Sequence, residues 1–569
     1  MTRIAIDPIT RIEGHLRIEV EVSNGVVTDA WSSGTMFRGL ELILKGRDPR
    51  DAWVFAQRAC GVCTTVHALA SVRAVENALG LQIPTNARLV RNLIAGIQYV
   101  QDHVIHFYHL HALDWVDVVS ALSADPAATA TLAQSISDWP LSSASYFKGV
   151  QDKLKTFVAS GQLGPFANGY WGSPAYKLPP AANLLAVAHY LEALDWQRDV
   201  IRVQAYLGAK NPHPQTYVVG GMALELDPNS TTALNARGLS DIAELFAKAQ
   251  DFVDRVYIPD VLAVAGFYKD WAAIGKGIGN YMSYGEFPQQ NGSQPQYFLP
   301  RGRIMGRDLS KVELVNEADI AETVAHSYYT YTDGDSSYLR PIDGQTNPKY
   351  AGPTPPFETL GDSPDKYSWL KSPRYAQQPM EVGPLARMLV AYGSGQPQVK
   401  AAVDKVLGAL GVGPEALFST LGRIAARAVE TQVIAAQLPG WLSDLDANLK
   451  TGDLAIADVS KWDPGSWPST AHGFGWEEAP RGSLGHWVRI KDQKIDNYQL
   501  VVPSTWNGSP RDAAGKRGAW EEALIGTPVN DTTAPVEVLR TVHSFDPCMA
   551  CAVHVYDPDG DDSVVIRVV

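Results

Sequence analysis

Arg58-Ala-Cys60-Gly-Val-Cys63-Thr-Thr-Val-His67 and Asp546-Pro-Cys548-Met-Ala-Cys551-Ala-Val-His554 hold all four cysteines of this 569-residue chain. Each stretch is a Cys-x-x-Cys pair followed within four residues by a histidine. Thiolates two residues apart can chelate one metal, because the intervening turn brings both sulfurs to one point. The economical reading is a single four-thiolate site built from the two ends of the chain. Structural zinc is the plain alternative, since four-cysteine zinc sites are common. Yet zinc ribbons are local, and these pairs lie almost a whole chain apart. A thioredoxin-like redox pair needs a βαβ setting that neither motif has.

Bulk properties narrow the class. Hydrophobic residues make up 45% and charged residues 19%, as in an ordinary globular protein with a sizeable core. The length allows three or four domains or one large fold. The net charge of -13, with no dense basic run, argues against nucleic acid as a partner. No apolar run approaches the ~18–20 residues of a membrane span, and Met1 to Asp7 has no signal-peptide character. The chain is therefore expected to be soluble by itself, with any export or membrane attachment supplied by a partner.

Periodicity predicts a mainly helical α+β fold, a central bundle of long helices with an N-terminal β-hairpin and short C-terminal strands. Residues 15–32 read as the hairpin, turning at Asn24-Gly25. Helices are expected from Thr85 to about His111, Pro180 to Leu207, Leu239 to Val256 and Glu415 to Gln437, the last ended by Pro439-Gly440, with a shorter one after Pro384. Residues 283–378 read as ordered excursions, and 485–503 and 535–543 as short strands.

Further motifs carry a resemblance. Asp7-Pro-Ile-Thr-Arg-Ile-Glu13-Gly-His15, Phe37-Arg-Gly-Leu-Glu41, Asn211-Pro-His-Pro214, Met380-Glu-Val-Gly-Pro384, Ala479-Pro-Arg-Gly482 and Val502-Pro-Ser-Thr-Trp-Asn507 accompany the cysteine pairs in order. Together they resemble the nickel-iron hydrogenase large subunit, most of all its uptake-type, membrane-associated group. The resemblance implies oxidation of H2 to protons and electrons at a NiFe(CO)(CN)2 centre. Cys60 and Cys548 would be terminal on nickel, and Cys63 and Cys551 would bridge to iron. Glu13 resembles the proton-relay carboxylate. Arg481, after Pro480, resembles the guanidinium above the open metal position, with Asp102 and Asp546 as its carboxylate partners. Pro503 and Ser504 resemble the surroundings of a cyanide ligand, and His67 a donor to a bridging sulfur. Glu41, the carbonyl of Leu500 and His554 resemble a separate Mg2+ (or Fe) site. His213 resembles a residue facing the partner's nearest cluster.

The four cysteines are all used by that centre, so no iron–sulfur cluster remains for this chain. An iron–sulfur small subunit is implied, with a membrane cytochrome b beyond it, a maturation endopeptidase and nickel chaperones. The resemblance also implies a periplasmic site, reached through the small subunit's twin-arginine signal. The family's mature chain ends at the histidine matched by His554. Residues 1–554 then read as one catalytic domain and 555–569 as a propeptide removed on maturation. Two rivals stand beside this reading. One is a non-catalytic subunit with a four-cysteine zinc site. The other is the quinone-site cousin in respiratory complex I, which should lack the cysteine pairs. His103, His106 and His109, at three-residue steps on one helix, suggest a second metal only weakly.

Overall fold

A computed structural model describes residues 2–549 except 162–163, 168, 293–294, 352–359 and 361–365. The N-terminus forms an antiparallel three-stranded sheet, β1 (Thr2–Ile6), β2 (Leu16–Ser23) and β3 (Val26–Gly34), in that order. The expected hairpin is β2–β3, turning at Asn24 and Gly25, both with positive φ.

Long helices follow. α1 (Val66–Leu79) leaves the first cysteine loop. α2 (Thr85–Ile105) begins after Pro84 and continues as a π-helical turn through His111. α3 (Pro180–Val200) breaks at Ile201 before a last stretch to Gly208. α4 (Ala236–Phe252) also passes into a π-helical turn. α5 (Pro384–Gly393) and α6 (Thr420–Lys450) complete the bundle, with Ser419 capping α6 through the Gly422 N–H. The fold is thus mainly helical with small sheets, as the periodicity predicts.

Two expectations fail and one strand goes unexpected, each for a packing reason. α6 does not stop at Pro439 but runs eleven residues past it, to Lys450. An interior proline costs about 3 kcal/mol. Leu438, Trp441, Leu442, Leu445 and Leu449 are all buried around and beyond it, and at about 2 kcal/mol each they outweigh that cost. Residues 535–543 form no strand. After β4 (Thr470–Ala479), β5 (Gly482–Lys491), β6 (Lys494–Val501) and the short helix α7 (Pro503–Asn507), they make the helix α8 (Val536–Ser544). All nine α8 residues are buried, polar ones included, so the apolar–polar alternation misleads. Arg540 donates to the Asp114 carbonyl at 2.7 Å, and His543 pairs with the Asp114 carboxylate at 2.6 Å. The strand β4 is missed altogether, because Gly473 and Gly475 interrupt its pattern.

Those glycines place the metal-site elements. α1 packs across β4, and β4 pairs with β5 through ten registered positions from Thr470↔Lys491 to Ala479↔Gly482. A Cβ at Gly475 would stand 2.1 Å from the Ala70 carbonyl oxygen, and one at Gly473 2.4 Å from the Ala78 nitrogen. Helix backbone cannot yield as a side-chain tip can. Gly475→Ala is therefore expected to destabilise the chain by about 2–3 kcal/mol, read as a clear fall in apparent melting temperature. An unchanged melt would mean that α1 does not ride this close to β4.

Candidate metal centre

Cys60 sits in extended backbone at the end of a short 3-10 turn, and Cys63 lies just before α1. The N–H groups of Val62 and Cys63 point at Cys60 Sγ from 3.2 and 3.1 Å, an arrangement that favours a thiolate. Cys548 reaches the same point from the other end of the chain. It forms a parallel bridge with Glu13, and the Met549 N–H donates to the Glu13 carbonyl at 2.6 Å. The Cys548 N–H donates to Ser504 Oγ at 2.9 Å.

Cys548 Sγ then lies 3.4 Å from Cys60 Sγ and 4.0 Å from Cys63 Sγ. All three are buried, and their sulfurs fall within 4.8 Å of one another. Among the described residues this is the one cluster of three or more His, Cys, Asp or Glu groups able to hold a metal. Soft thiolates converging in a dry pocket suit a thiophilic, redox-active metal. Cys551 and His554 lie outside the described residues.

The structure brings several of the residues singled out in the sequence around these sulfurs. Cys548 Sγ donates to Glu13 Oε2 at 3.3 Å, and Glu13 is only half-buried. A small cavity is lined by Cys63, Cys548, His67, Arg481, Pro503 and Ser504. The Arg481 guanidinium pairs with Asp102 at 3.0 Å and Asp546 at 3.0 Å. Burial opposes its charge, but Asp102, Asp546 and the Cys548 and Cys63 sulfurs hold its pKa well above the usual value. Burial also pushes the Asp102 carboxyl up, against the pull of Arg481 and with a further push from Asp546. His67 is buried, with its pKa lowered to about 4 by desolvation, so its imidazole is neutral. Its Nδ1 meets His486 at 3.0 Å, and His486 meets the Tyr498 hydroxyl at 2.7 Å.

Comparison with known proteins identifies the family. A family model described as nickel-dependent hydrogenase matches residues 38–554, and one described as HoxL-like matches residues 3–33. The chain belongs to the nickel-dependent hydrogenase family. It is 53% identical to the uptake hydrogenase large subunit of Rhizobium leguminosarum bv. viciae and 47% identical to the hydrogenase-1 large chain of Escherichia coli (strain K12). Both alignments cover 100% of this chain and 97% of the relative. The solved Ni-Fe-Se hydrogenase of D. vulgaris Hildenborough in its reduced state aligns with a TM-score of 0.76 at 37% identity, covering 97% of this chain and 100% of that one. The [NiFeSe]-hydrogenase of Dm. baculatum aligns at 0.75 and 35%, with the same coverage. Family membership implies a nickel–iron active site, and the thiol cluster is where this hydrogenase chain can hold it.

Glu41 and Leu500 of the candidate second site lie together. The Leu500 N–H donates to one Glu41 oxygen at 3.0 Å. The other Glu41 oxygen accepts from Thr346 Oγ1 and lies 3.3 Å from Lys371 Nζ. Glu322, 3.7 Å from Lys371, has no hydrogen-bond partner on either oxygen, and burial raises its pKa to about 7. Thr346, Lys371 and Glu322 have no signature in a single sequence; they join Glu41 only through the fold. His213 Nε2 donates to the Cys60 carbonyl at 2.8 Å. His103, His106 and His109 do not converge: they bond to Glu430, the His543 carbonyl and the Tyr190 carbonyl.

The Arg481 pair makes a signed pH expectation. Without the guanidinium, Asp102 loses the cation that opposes its desolvation, and the folded state favours its protonated form more strongly. A folded pKa above the unfolded one gives stability at low pH that is lost as pH rises through it. Arg481→Met is thus expected to be closer to wild-type stability at about pH 5 than at about pH 8. Parallel pH profiles of the two melting temperatures would count against the buried pair.

Proposed function

We propose that this chain is the H2-oxidising subunit of an uptake-type nickel–iron hydrogenase, feeding electrons to a separate iron–sulfur small subunit. The convergence of Cys60, Cys63 and Cys548 from opposite chain ends carries the proposal. Cys551 would complete the ligand set, so that Cys60, Cys63, Cys548 and Cys551 would hold a nickel–iron centre bearing carbon monoxide and cyanide. When bound, that centre supplies the redox-active, Lewis-acidic metal pair that polarises H2 and accepts its electrons.

The protein's own groups do the rest. Glu13, in contact with Cys548 Sγ and half-exposed, accepts the proton and passes it outward. Arg481, charged at any working pH, presses donors into the cavity, and Asp102 and Asp546 hold its plane. Ser504 and Pro503 line the wall where an anionic diatomic ligand needs donors. His67 lines the cavity as a neutral imidazole that tunes a sulfur.

All four cysteines are used, so the electrons leave this chain. His213 at the Cys60 carbonyl marks the face toward the small subunit. Glu41, Leu500 and His554 would hold the Mg2+ or iron. The excess of two carboxylates, Glu41 and Glu322, over one ammonium, Lys371, leaves room there for a cation's charge. Residues 555–569 are cut off by an endopeptidase after nickel insertion by its chaperones; the family match also stops at residue 554. No described helix is long and apolar enough to cross a membrane. On this reading, attachment on the periplasmic side, beside a cytochrome b, comes through the small subunit.

Elemental analysis with intact mass tests the core of this. About one nickel per chain ending at His554 is expected; zinc in a full-length chain would establish a structural staple instead. Cys551→Ser should lose both nickel and tail cleavage. Glu13→Gln should keep nickel while slowing H/D exchange by about 10²-fold or more. Unimpaired exchange would remove Glu13 from the proton path.

A further inference from the structure

We propose that Arg387 is a positioning residue: it clamps the backbone just before Arg481 and so sets the Arg481 guanidinium over the thiolate pocket. The proposal rests on the reading that Arg481 serves turnover.

Arg387 lies on α5 and is fully buried. Its guanidinium has five N–H donors, and each meets an acceptor. Nε and one Nη donate to the two Glu430 oxygens, both at 2.6 Å. The other Nη donates to Glu478 Oε2 at 2.8 Å and to the Ala479 carbonyl at 2.8 Å. The fifth donor reaches the Pro480 carbonyl at 2.8 Å. The two carbonyls belong to the residues immediately before Arg481, in the tight turn between β4 and β5. A planar fork with five fixed donors holds such a turn in one place; a lysine ammonium has three donors and cannot serve all five acceptors.

The same unit reaches Arg481's partner. Glu430 Oε2 also takes His103 Nε2 at 2.8 Å, and His103 follows Asp102 on α2. Both halves of the Arg481–Asp102 pair are therefore tied to the Arg387–Glu430 ion pair. The turn has no slack on its other side. A Cβ at Gly482 would stand 2.6 Å from the Gly383 nitrogen, and one at Gly383 3.0 Å from the Arg481 carbonyl oxygen. Burial would raise the Glu430 carboxyl, but Arg387 and then His103 bring it down to about 2, so the clamp stays charged at working pH.

A double-mutant cycle on the complete, nickel-loaded enzyme tests this. Arg387→Lys is expected to keep its nickel and its KM for H2 while kcat falls about tenfold to a hundredfold, since a misplaced group loses turnover before binding. Arg481→Lys should slow turnover at least as much. The double variant should be no slower than Arg481→Lys alone, because Arg387 acts through Arg481. Multiplying effects, or normal kcat in Arg387→Lys beside a slow Arg481→Lys, would overturn the clamp and leave the Arg481 reading standing. Normal turnover in Arg481→Lys would remove that reading and the clamp with it. If Arg387→Lys does not fold, Pro480→Gly loosens the same turn and enters the same cycle, with additivity again overturning the proposal.

Discussion

The return of Cys548 to the first cysteine loop is the constraint on which the rest depends. Cys60 and Cys548 lie 488 residues apart in sequence and 3.4 Å apart at sulfur. Closing a loop that long sounds prohibitive, but the entropy grows only logarithmically. Relative to a local loop of about 15 residues it is five doublings, or about 3 kcal/mol. Structural metals can return about 10 kcal/mol or more when their ligands converge. The closure is also shared with protein contacts made without metal. The bridge between Glu13 and Cys548 joins the N-terminal segment to the last described residues, and Ser504 fixes the Cys548 N–H. One hydrophobic cluster accordingly runs from Ile4 to Met549.

Around that closure the chain buries an unusual density of charge. Arg387, Arg423 and Arg481 are each buried and each paired with buried carboxylates. Such pairs contribute little net stability, since desolvation offsets the attraction. What they give is geometry, because breaking one side leaves an unpaired buried charge. Arg423 ties α6 to Glu381, the residue two before Gly383, while Arg387 ties α6 to the turn before Arg481. The helical bundle is thereby coupled to the walls of the thiolate pocket through hydrogen bonds of fixed direction rather than through apolar packing, which tolerates sliding.

How much of this the sequence discloses depends on the range of the interaction. The cysteine pairs, Glu13, Arg481 and Ser504 stand in short motifs, so their chemistry is legible locally, and the structure brings those within the described residues together. Asp102 looks like a surface carboxylate in mid-helix, yet it is buried opposite Arg481, a contact across 379 residues that no local pattern carries. The same holds for Arg387, Glu322 and Lys371. Among the elements, helices with a one-sided apolar stripe are legible. α8 is not, because its polar face is buried as well, and Pro439 is not, because its breaking tendency is overruled by the apolar residues beyond it. Gly473 and Gly475 spoil the strand signature of β4 for the very reason that they let α1 lie against it.

On the proposed reading, the pocket also separates its two products by the distance each can travel. A proton moves only between groups in hydrogen-bond contact, so its acceptor must touch a sulfur, and Glu13 does so at Cys548 while remaining half-exposed. An electron needs no such contact and can leave through the opposite thiolate, Cys60, whose carbonyl meets the partly exposed His213. Cys548 comes from the C-terminal pair and Cys60 from the N-terminal one. Assembling the centre from two chain ends therefore places the proton-bearing segment and the electron-facing loop on different strands of backbone. Either can then be tuned without moving the other, which a local zinc-ribbon type of site, with all ligands on one short loop, could not provide.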